Sequence, residues 1–212
     1  MAKPVRFEYL DHWLKRGAVR VLDVGCADHS PRKTKEYYPE CHYYGIDRTT
    51  AGNLDKQDLE CMERFFLIDL STVSALDVVP DDFFDCLILS HVIEHLSDGD
   101  EVVAQILRKL KRGGVIYIET PSLRSAHLPR GSLRLNFYDD PSHVKLYDPT
   151  LVRQLLARNG CTVLKSGTRC SLKRIALMPA LAVGTLIFGK PVTGGLVWDL
   201  VGFASYTVAQ KR

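Results

Sequence analysis

Apolar residues along this chain fall into short runs separated by amphipathic or polar stretches. Phe7, Leu10 and Leu14 recur at helical spacing, so residues 7–16 predict a short helix stopped by Gly17. Five runs then read as strands: VRVLDV (19–24), HYYGID (42–47), RFFLIDL (64–70), FFDCLILS (83–90) and GVIYIET (114–120). They are rich in Val, Ile, Phe and Tyr and apolar on both sides, which suits parallel strands covered on two faces. DGDEVVAQILRKLKRGG (98–114) predicts a helix, with acids at its start, bases near its end and glycines to stop it. DPTLVRQLLARNG (148–160) predicts another, with Asp148 as N-cap and Pro149 at the first helical position. Helices in the first half are less distinct.

Alternating strand and helix predicts a doubly wound, Rossmann-like α/β sheet with helices on both faces. After Gly160 the alternation changes. CTVLKSGT (161–168) and GFASYTVAQKR (202–212) read as sixth and seventh strands, an antiparallel pair at the sheet edge. A single domain over 1–212 is expected, with an acceptor-side loop at 121–148 and an apolar insertion at 172–198. The run IALMPALAVGTLIFG (175–189) is shorter than the roughly 20 residues that span a bilayer, and Pro179 interrupts it. Basic residues flank it, so peripheral membrane contact stands beside burial as its reading.

Composition narrows the classes of function. With 46% hydrophobic and 25% charged residues the chain is globular, and a net charge of +3 does not point to nucleic acid. The six cysteines include no Cys-x-x-Cys pair, so a thiolate zinc knuckle and a thioredoxin-type motif are excluded. The N-terminus carries charges throughout and no apolar h-region. A reduced, cytoplasmic setting is therefore expected, with any membrane contact peripheral, at the inner face.

Ligands of open α/β sheets bind outside the carboxyl ends of the strands, so the exit of the first strand matters most. A dinucleotide site needs Gly-x-Gly-x-x-Gly there, to let backbone approach a pyrophosphate. This chain offers Asp23-Val24-Gly25-Cys26-Ala27-Asp28, followed by His29. Carboxylates at Asp23 and Asp28 repel pyrophosphate and favour a ligand with an ammonium or sulfonium group. A nucleotide-dependent oxidoreductase is thereby disfavoured.

VLDVGCAD, the acid closing YYGID, FLIDLS, FDCLILSHVIEHL and LKRGGVIYIETP occur in that order. Together they resemble class I S-adenosylmethionine-dependent methyltransferases over residues 19–120, with a weaker likeness in HVKLYDPTLVRQLLARNGCTV. The resemblance implies the fold read above and S-adenosylmethionine as cofactor. It implies that Asp23, Gly25 and Ala27 border the methionine part, and that Asp47 accepts the ribose hydroxyls. Asp69 and Leu70 would hold the adenine, and Ser90 and His91 would lie beneath the transferring methyl. Ala27 and His29 depart from the glycines usual in the family.

HVIEH (91–95) spells an inverted zinc-protease pattern, but it follows directly on a strand instead of lying within a long helix. No metal is expected. Glu94 and His95 either cap the turn after the fourth strand or face the acceptor and help to deprotonate it. His143, before the helix at Asp148, is the foremost general-base candidate, because the corresponding position faces the acceptor in enzymes the chain resembles; His127 is less well placed. The Asn/Asp-Pro-Pro-aromatic motif of DNA amino-methyltransferases is replaced by Ser90-His91-Val92-Ile93, so no nucleic-acid substrate is expected. The tail WDLVGFASYTVAQK is similar to bacterial methyltransferases of glycan and lipid pathways. The resulting expectation is methylation, on oxygen, of a small-molecule or glycan/lipid-linked acceptor. The alternative is a catalytically inactive cofactor-binding or membrane-associated interaction protein.

Overall fold

The computed structural model describes residues 3–50, 54–131, 134–172, 175–176 and 194–212. Its centre is a seven-stranded sheet in the order β3-β2-β1-β4-β5-β7-β6. The strands are β1 (Arg20–Val24), β2 (His42–Asp47), β3 (Arg64–Leu67), β4 (Phe84–Ser90), β5 (Leu110–Pro121), β6 (Cys161–Thr168) and β7 (Ala204–Lys211). The pairs among β1 to β5 are parallel, and β7 runs antiparallel to both β5 and β6. The expected edge pair is present, with β6 outermost.

Strand periodicity divides the apolar residues between two cores. Leu22, Val24, Leu87, Leu89, Ile116 and Ile118 face one side, under helices α4 (Gly99–Lys109) and α5 (Pro149–Arg158). Val21, Tyr43, Cys86, Ile88, Val115 and Tyr117 face the other, covered by Phe7, Leu10 and Leu14 of α1 (Arg6–Leu14) and by Tyr38. Tyr38 follows α2 (Ser30–Tyr37), and α3 (Lys56–Glu60) lies against α2. A last described helix, α6 (Gly194–Val201), precedes β7.

The helix predicted over 98–114 ends at Lys109. Leu110 instead pairs with Phe84 of β4, so the basic residues after it belong to the lead-in of β5. The third strand stops at Leu67, and the segment after it turns at Asp69, whose carboxylate accepts the Ser71 N–H at 2.9 Å. Asp148 caps α5 as expected, accepting from the Thr150 N–H at 2.6 Å. Of the apolar run 175–189, all but Ile175 and Ala176 lie outside the described residues, and so does the membrane reading placed on it. Among the described residues no helix is long and apolar enough to cross a membrane.

Phe7 is 0% exposed and Leu67 is 66% exposed, so their truncation should separate core from surface. Phe7→Ala is expected to lower stability by about 3–5 kcal/mol in urea unfolding. Leu67→Ala is expected to cost under about 0.5 kcal/mol. Equal midpoints for the two variants would show that α1 does not close the second core.

Candidate active site

Every strand-end residue singled out by sequence stands along the carboxyl edge of the parallel strands. β1 leaves the sheet at Gly25, whose φ of +74° is left-handed, and a Cβ there would lie 2.6 Å from Val92 Cγ2. The N–H groups of Gly25 and Cys26 both donate to the Ile46 carbonyl, at 2.8 and 3.1 Å, which ties this turn to the end of β2. Only glycine serves here without strain.

Of the two residues that stand in place of glycines, His29 keeps glycine-like backbone, as does its neighbour Asp28, whereas Ala27 does not. Asp28 and His29 have φ of +55° and +54°, and His29 immediately precedes α2. Left-handed backbone costs an ordinary residue roughly 1–2 kcal/mol, and side-chain bonds offset it. His29 Nδ1 lies 2.6 Å from Asp58, a buried acid that also accepts Arg32 Nε at 2.9 Å. Lys33 Nζ donates to both the carbonyl and the carboxylate of Asp28, at 2.6 and 2.8 Å. The Asp28 carboxylate is exposed and paired with Lys33, and both residues border the cavity described below.

Asp23 is different. Its side chain is buried, accepts the hydroxyls of Ser30 and Tyr43 (the latter at 2.7 Å), and lies 3.9 Å from the Arg6 guanidinium. Burial raises its pKa against the lowering influence of Arg6 and the two hydroxyls. A cation placed beside it would favour the ionised form.

The same edge continues at His91, which follows β4 with a φ of +55°. Its Nδ1 lies 3.1 Å from Glu94 and its Nε2 2.9 Å from Glu119 of β5. Burial opposes its charge, but the bonds to Glu119 and Glu94 prevail and raise its pKa to about 9. It is therefore an imidazolium at neutral pH, donating from both nitrogens. Glu119 also accepts Arg169 Nη1 at 2.8 Å and the Tyr117 hydroxyl. Burial would raise the Glu119 pKa, yet Arg169 and His91 bring it down to about 2. Arg169 in turn donates from Nε to Asp199 of α6 at 2.9 Å. Sequence reasoning gave no site role to Arg169, Trp198 and Asp199; the last two open the tail WDLVGFASYTVAQK, and all three reach the site through the antiparallel return of β7.

A cavity of about 460 Å³ opens between these groups, walled by Arg6 of α1, by Asp23, Gly25, Ala27 and the Asp28–Lys33 pair around the β1 turn, and by Ser90, His91, Glu119, Arg169 and Trp198 at the other end. Three buried polar atoms of its wall residues, Arg6 Nε, Ser90 Oγ and Trp198 Nε1, have no hydrogen-bond partner among the described residues. Unmet hydrogen-bonding capacity, a glycine turn that excludes a side chain and a buried carboxylate fit a polar ligand with a cationic end. The amino-acid part of S-adenosylmethionine is such a ligand. Asp47 is half-buried at the end of β2, Asp69 is exposed in its turn and Leu70 is buried in the first core. None of the three belongs to the cavity wall, although all share its edge of the sheet.

His95 and His143 also lie outside that wall, beyond Glu94. Their ring centroids are 4.7 Å apart. His143 Nδ1 donates to the Phe137 carbonyl at 2.7 Å, which leaves Nε2 with its lone pair. His95 Nδ1 lies 2.9 Å from Ser142 Oγ, whose own proton goes to Asp140, so His95 is held in the same tautomer. Glu94 is fully buried, and its Oε2 has no hydrogen-bond partner among the described residues. Glu94, His95 and His143 each present a ligand atom within 4.8 Å of the others, as do His29, Asp55 and Asp58. The second cluster already holds the Arg32 guanidinium. His127 is exposed.

The His91 clamp has a pH signature. Its folded pKa of about 9 exceeds the ordinary value of 6.5, so its contribution to stability is complete below pH 6.5 and is lost as pH rises through 9. Urea unfolding should show stability falling over that interval. His91→Asn, which tolerates the left-handed backbone but cannot become charged, should flatten the profile. Parallel profiles for the two proteins would contradict the doubly bonded imidazolium.

A sequence model described as a methyltransferase domain matches residues 6–166, well over half of the chain. No curated protein sequence matches significantly. Among solved structures the chain is similar to an S-adenosylmethionine-dependent methyltransferase from Archaeoglobus fulgidus, at 19% identity and TM-score 0.63, covering 99% of this chain and 95% of that one. A second, from Mesorhizobium loti, is 16% identical with TM-score 0.62 and covers 98% of each chain. A third, the magnesium protoporphyrin IX methyltransferase of Synechocystis with bound S-adenosylmethionine, is 13% identical with TM-score 0.58, covering 98% of this chain and 76% of that one. At these identities the structures speak for the fold, and the family match extends the conclusion. The chain belongs to the methyltransferase-domain family and is a class I S-adenosylmethionine-dependent methyltransferase.

Proposed function

We propose that the enzyme methylates oxygen on a small-molecule or glycan/lipid-linked acceptor, with His143 as general base. The observation that carries this reading is the pair of tautomer-fixed histidines, His95 and His143, beside the buried Glu94 carboxylate. A hydroxyl must lose its proton as it attacks, and a neutral imidazole with a free Nε2 is suited to take it. His95 and Glu94 stabilise the resulting imidazolium by proximity and charge. Such a cluster would have little to do for a carbanion or thiolate acceptor.

S-adenosylmethionine, when bound, supplies a methyl group activated by its sulfonium and a neutral thioether leaving group. The chain's own task is then to orient, desolvate and deprotonate. Asp23 would hold the ammonium of the cofactor, with Gly25 and Ala27 keeping the turn open for close approach. Asp47 would accept the ribose hydroxyls, and Asp69 and Leu70 would meet the adenine. Ser90 and the rigid His91 would bound the point of transfer. The cluster of Glu94, His95 and His143 is read as handling a proton, with no metal required.

Transfer of radiolabelled methyl to a panel of phenols, sugars and lipid-linked sugars tests the assignment. A hydroxyl product is expected. His143→Gln should lower kcat by about 10²–10⁴-fold while leaving S-adenosylhomocysteine affinity unchanged. Label recovered on nitrogen or carbon, or full turnover by His143→Gln, would overturn it.

A further inference from the structure

Glu94, His95 and His143 lie outside the cofactor cavity, and each brings a ligand atom within 4.8 Å of the others. The fold laces them together. Glu94 and His95 belong to the turn after β4, and the Glu94 carbonyl accepts the N–H groups of Val144 and Lys145 at 2.8 and 3.2 Å. The segment that carries His143 is thereby tied to Glu94, and the His143 ring is stacked on Phe137 with centroids 4.6 Å apart. Both imidazoles are held through Nδ1, one by the Phe137 carbonyl and one by Ser142, so each keeps a lone pair on Nε2. The buried Glu94 carboxylate gives one oxygen to His91 at 3.1 Å, while Oε2 meets no donor among the described residues.

A buried carboxylate oxygen calls for a donor or a cation. In these tautomers neither Nε2 donates, so the cluster presents electron pairs without a positive group among them. A proton answers that need during turnover. Two imidazoles and a carboxylate are also the donor set of a borderline transition-metal ion. Ligating histidines ordinarily donate their other N–H to a carbonyl or another oxygen, which is how His143 and His95 are held. Ligand atoms at zinc bond lengths stand about 3.3 Å apart in a tetrahedron, so rotation of the two half-buried rings closes the set around an ion arriving from solvent. Asp140, joined to His95 through Ser142, adds negative charge behind the ligands. The cluster of His29, Asp55 and Asp58 differs, because the Arg32 guanidinium already fills it.

We propose that Glu94, His95 and His143 form a site for a divalent transition-metal ion of the zinc class, and that the ion inhibits the enzyme by taking the lone pair with which His143 accepts the acceptor's proton. The proposal rests on the general-base reading above. The ion is an alternative occupant and takes no part in transfer: ion and proton exclude each other at His143 Nε2.

Titration of EDTA-treated protein with cobalt(II) tests the site directly. One ion per chain is expected, with visible d–d absorption and none of the charge-transfer bands that a thiolate ligand would bring, and zinc should displace it. Glu94→Gln and His95→Gln should each abolish the spectrum; the half-buried His95 position keeps the test open where Glu94→Gln folds poorly. Ser142→Ala should weaken binding about 10–100-fold through the lost orientation of His95, and His29→Asn should leave it unchanged. Zinc should not alter S-adenosylhomocysteine affinity, because the cluster stands outside the cavity wall. With a hydroxyl acceptor, saturating zinc should lower kcat as far as His143→Gln does, about 10²–10⁴-fold, and EDTA should restore it. The proposal falls if no ion binds, if the spectrum survives Glu94→Gln and His95→Gln, or if zinc raises turnover. Full turnover by His143→Gln in EDTA would refute the base reading and the inhibition with it, while the cobalt spectrum reports the site independently.

Discussion

The active edge of this enzyme depends on one half-buried histidine donating to two buried carboxylates. His91 follows β4 in left-handed backbone, and its two nitrogens bind Glu94 in the next turn and Glu119 on β5. Glu119 is shared with Arg169, which reaches on to Asp199 of α6. A neutral imidazole could donate to only one of two ionised acids, so a pair of carboxylates on its two nitrogens favours the charged ring. Buried ion pairs are seldom a net source of stability, because desolvation offsets their attraction. Here the chain of charges fixes where Ser90, Glu94 and Trp198 stand relative to one another, and the cavity between β1 and β4 inherits its shape from it.

The β1 turn is a second solution of the same kind. Families of this fold place glycines where the backbone must turn left-handed. This chain keeps Gly25, where a side chain would strike Val92, and tolerates Asp28 and His29 by anchoring them to Lys33 and Asp58. Backbone freedom is replaced by side-chain bonds, some from residues nearly thirty positions away. The turn becomes stiffer while Asp23 retains its access to the cavity.

Much of this was legible in the sequence, and what was not has physical causes. Long apolar runs declared the parallel strands because both faces of such strands are buried. The acids at 23, 47 and 69 stood out because strand ends are where an open α/β sheet binds its ligands. Helix α2 was obscure because SPRKTKEY buries little beyond Ser30, Pro31 and Thr34, so it carries no apolar stripe. The pairing of Asp28 with Lys33 was hidden because it becomes visible only once α2 exists. Arg169 gave no signal, and Trp198 stood out only as the first residue of the tail WDLVGFASYTVAQK, without a site role. They are brought to the site by an antiparallel strand pairing between distant parts of the chain, and local pattern carries no trace of such a contact.

The central claim is that this edge of the sheet, with Asp23 buried at the β1 turn, selects a cationic adenosine cofactor over a dinucleotide pyrophosphate. Parallel calorimetric titrations with S-adenosylhomocysteine and NADH test it most directly, with Asp47→Ala alongside. Micromolar binding of the homocysteine ligand, weakened by Asp47→Ala, with no heat from NADH, is the predicted result. Preferential binding of NADH, or silence toward S-adenosylhomocysteine at millimolar concentration, would contradict it.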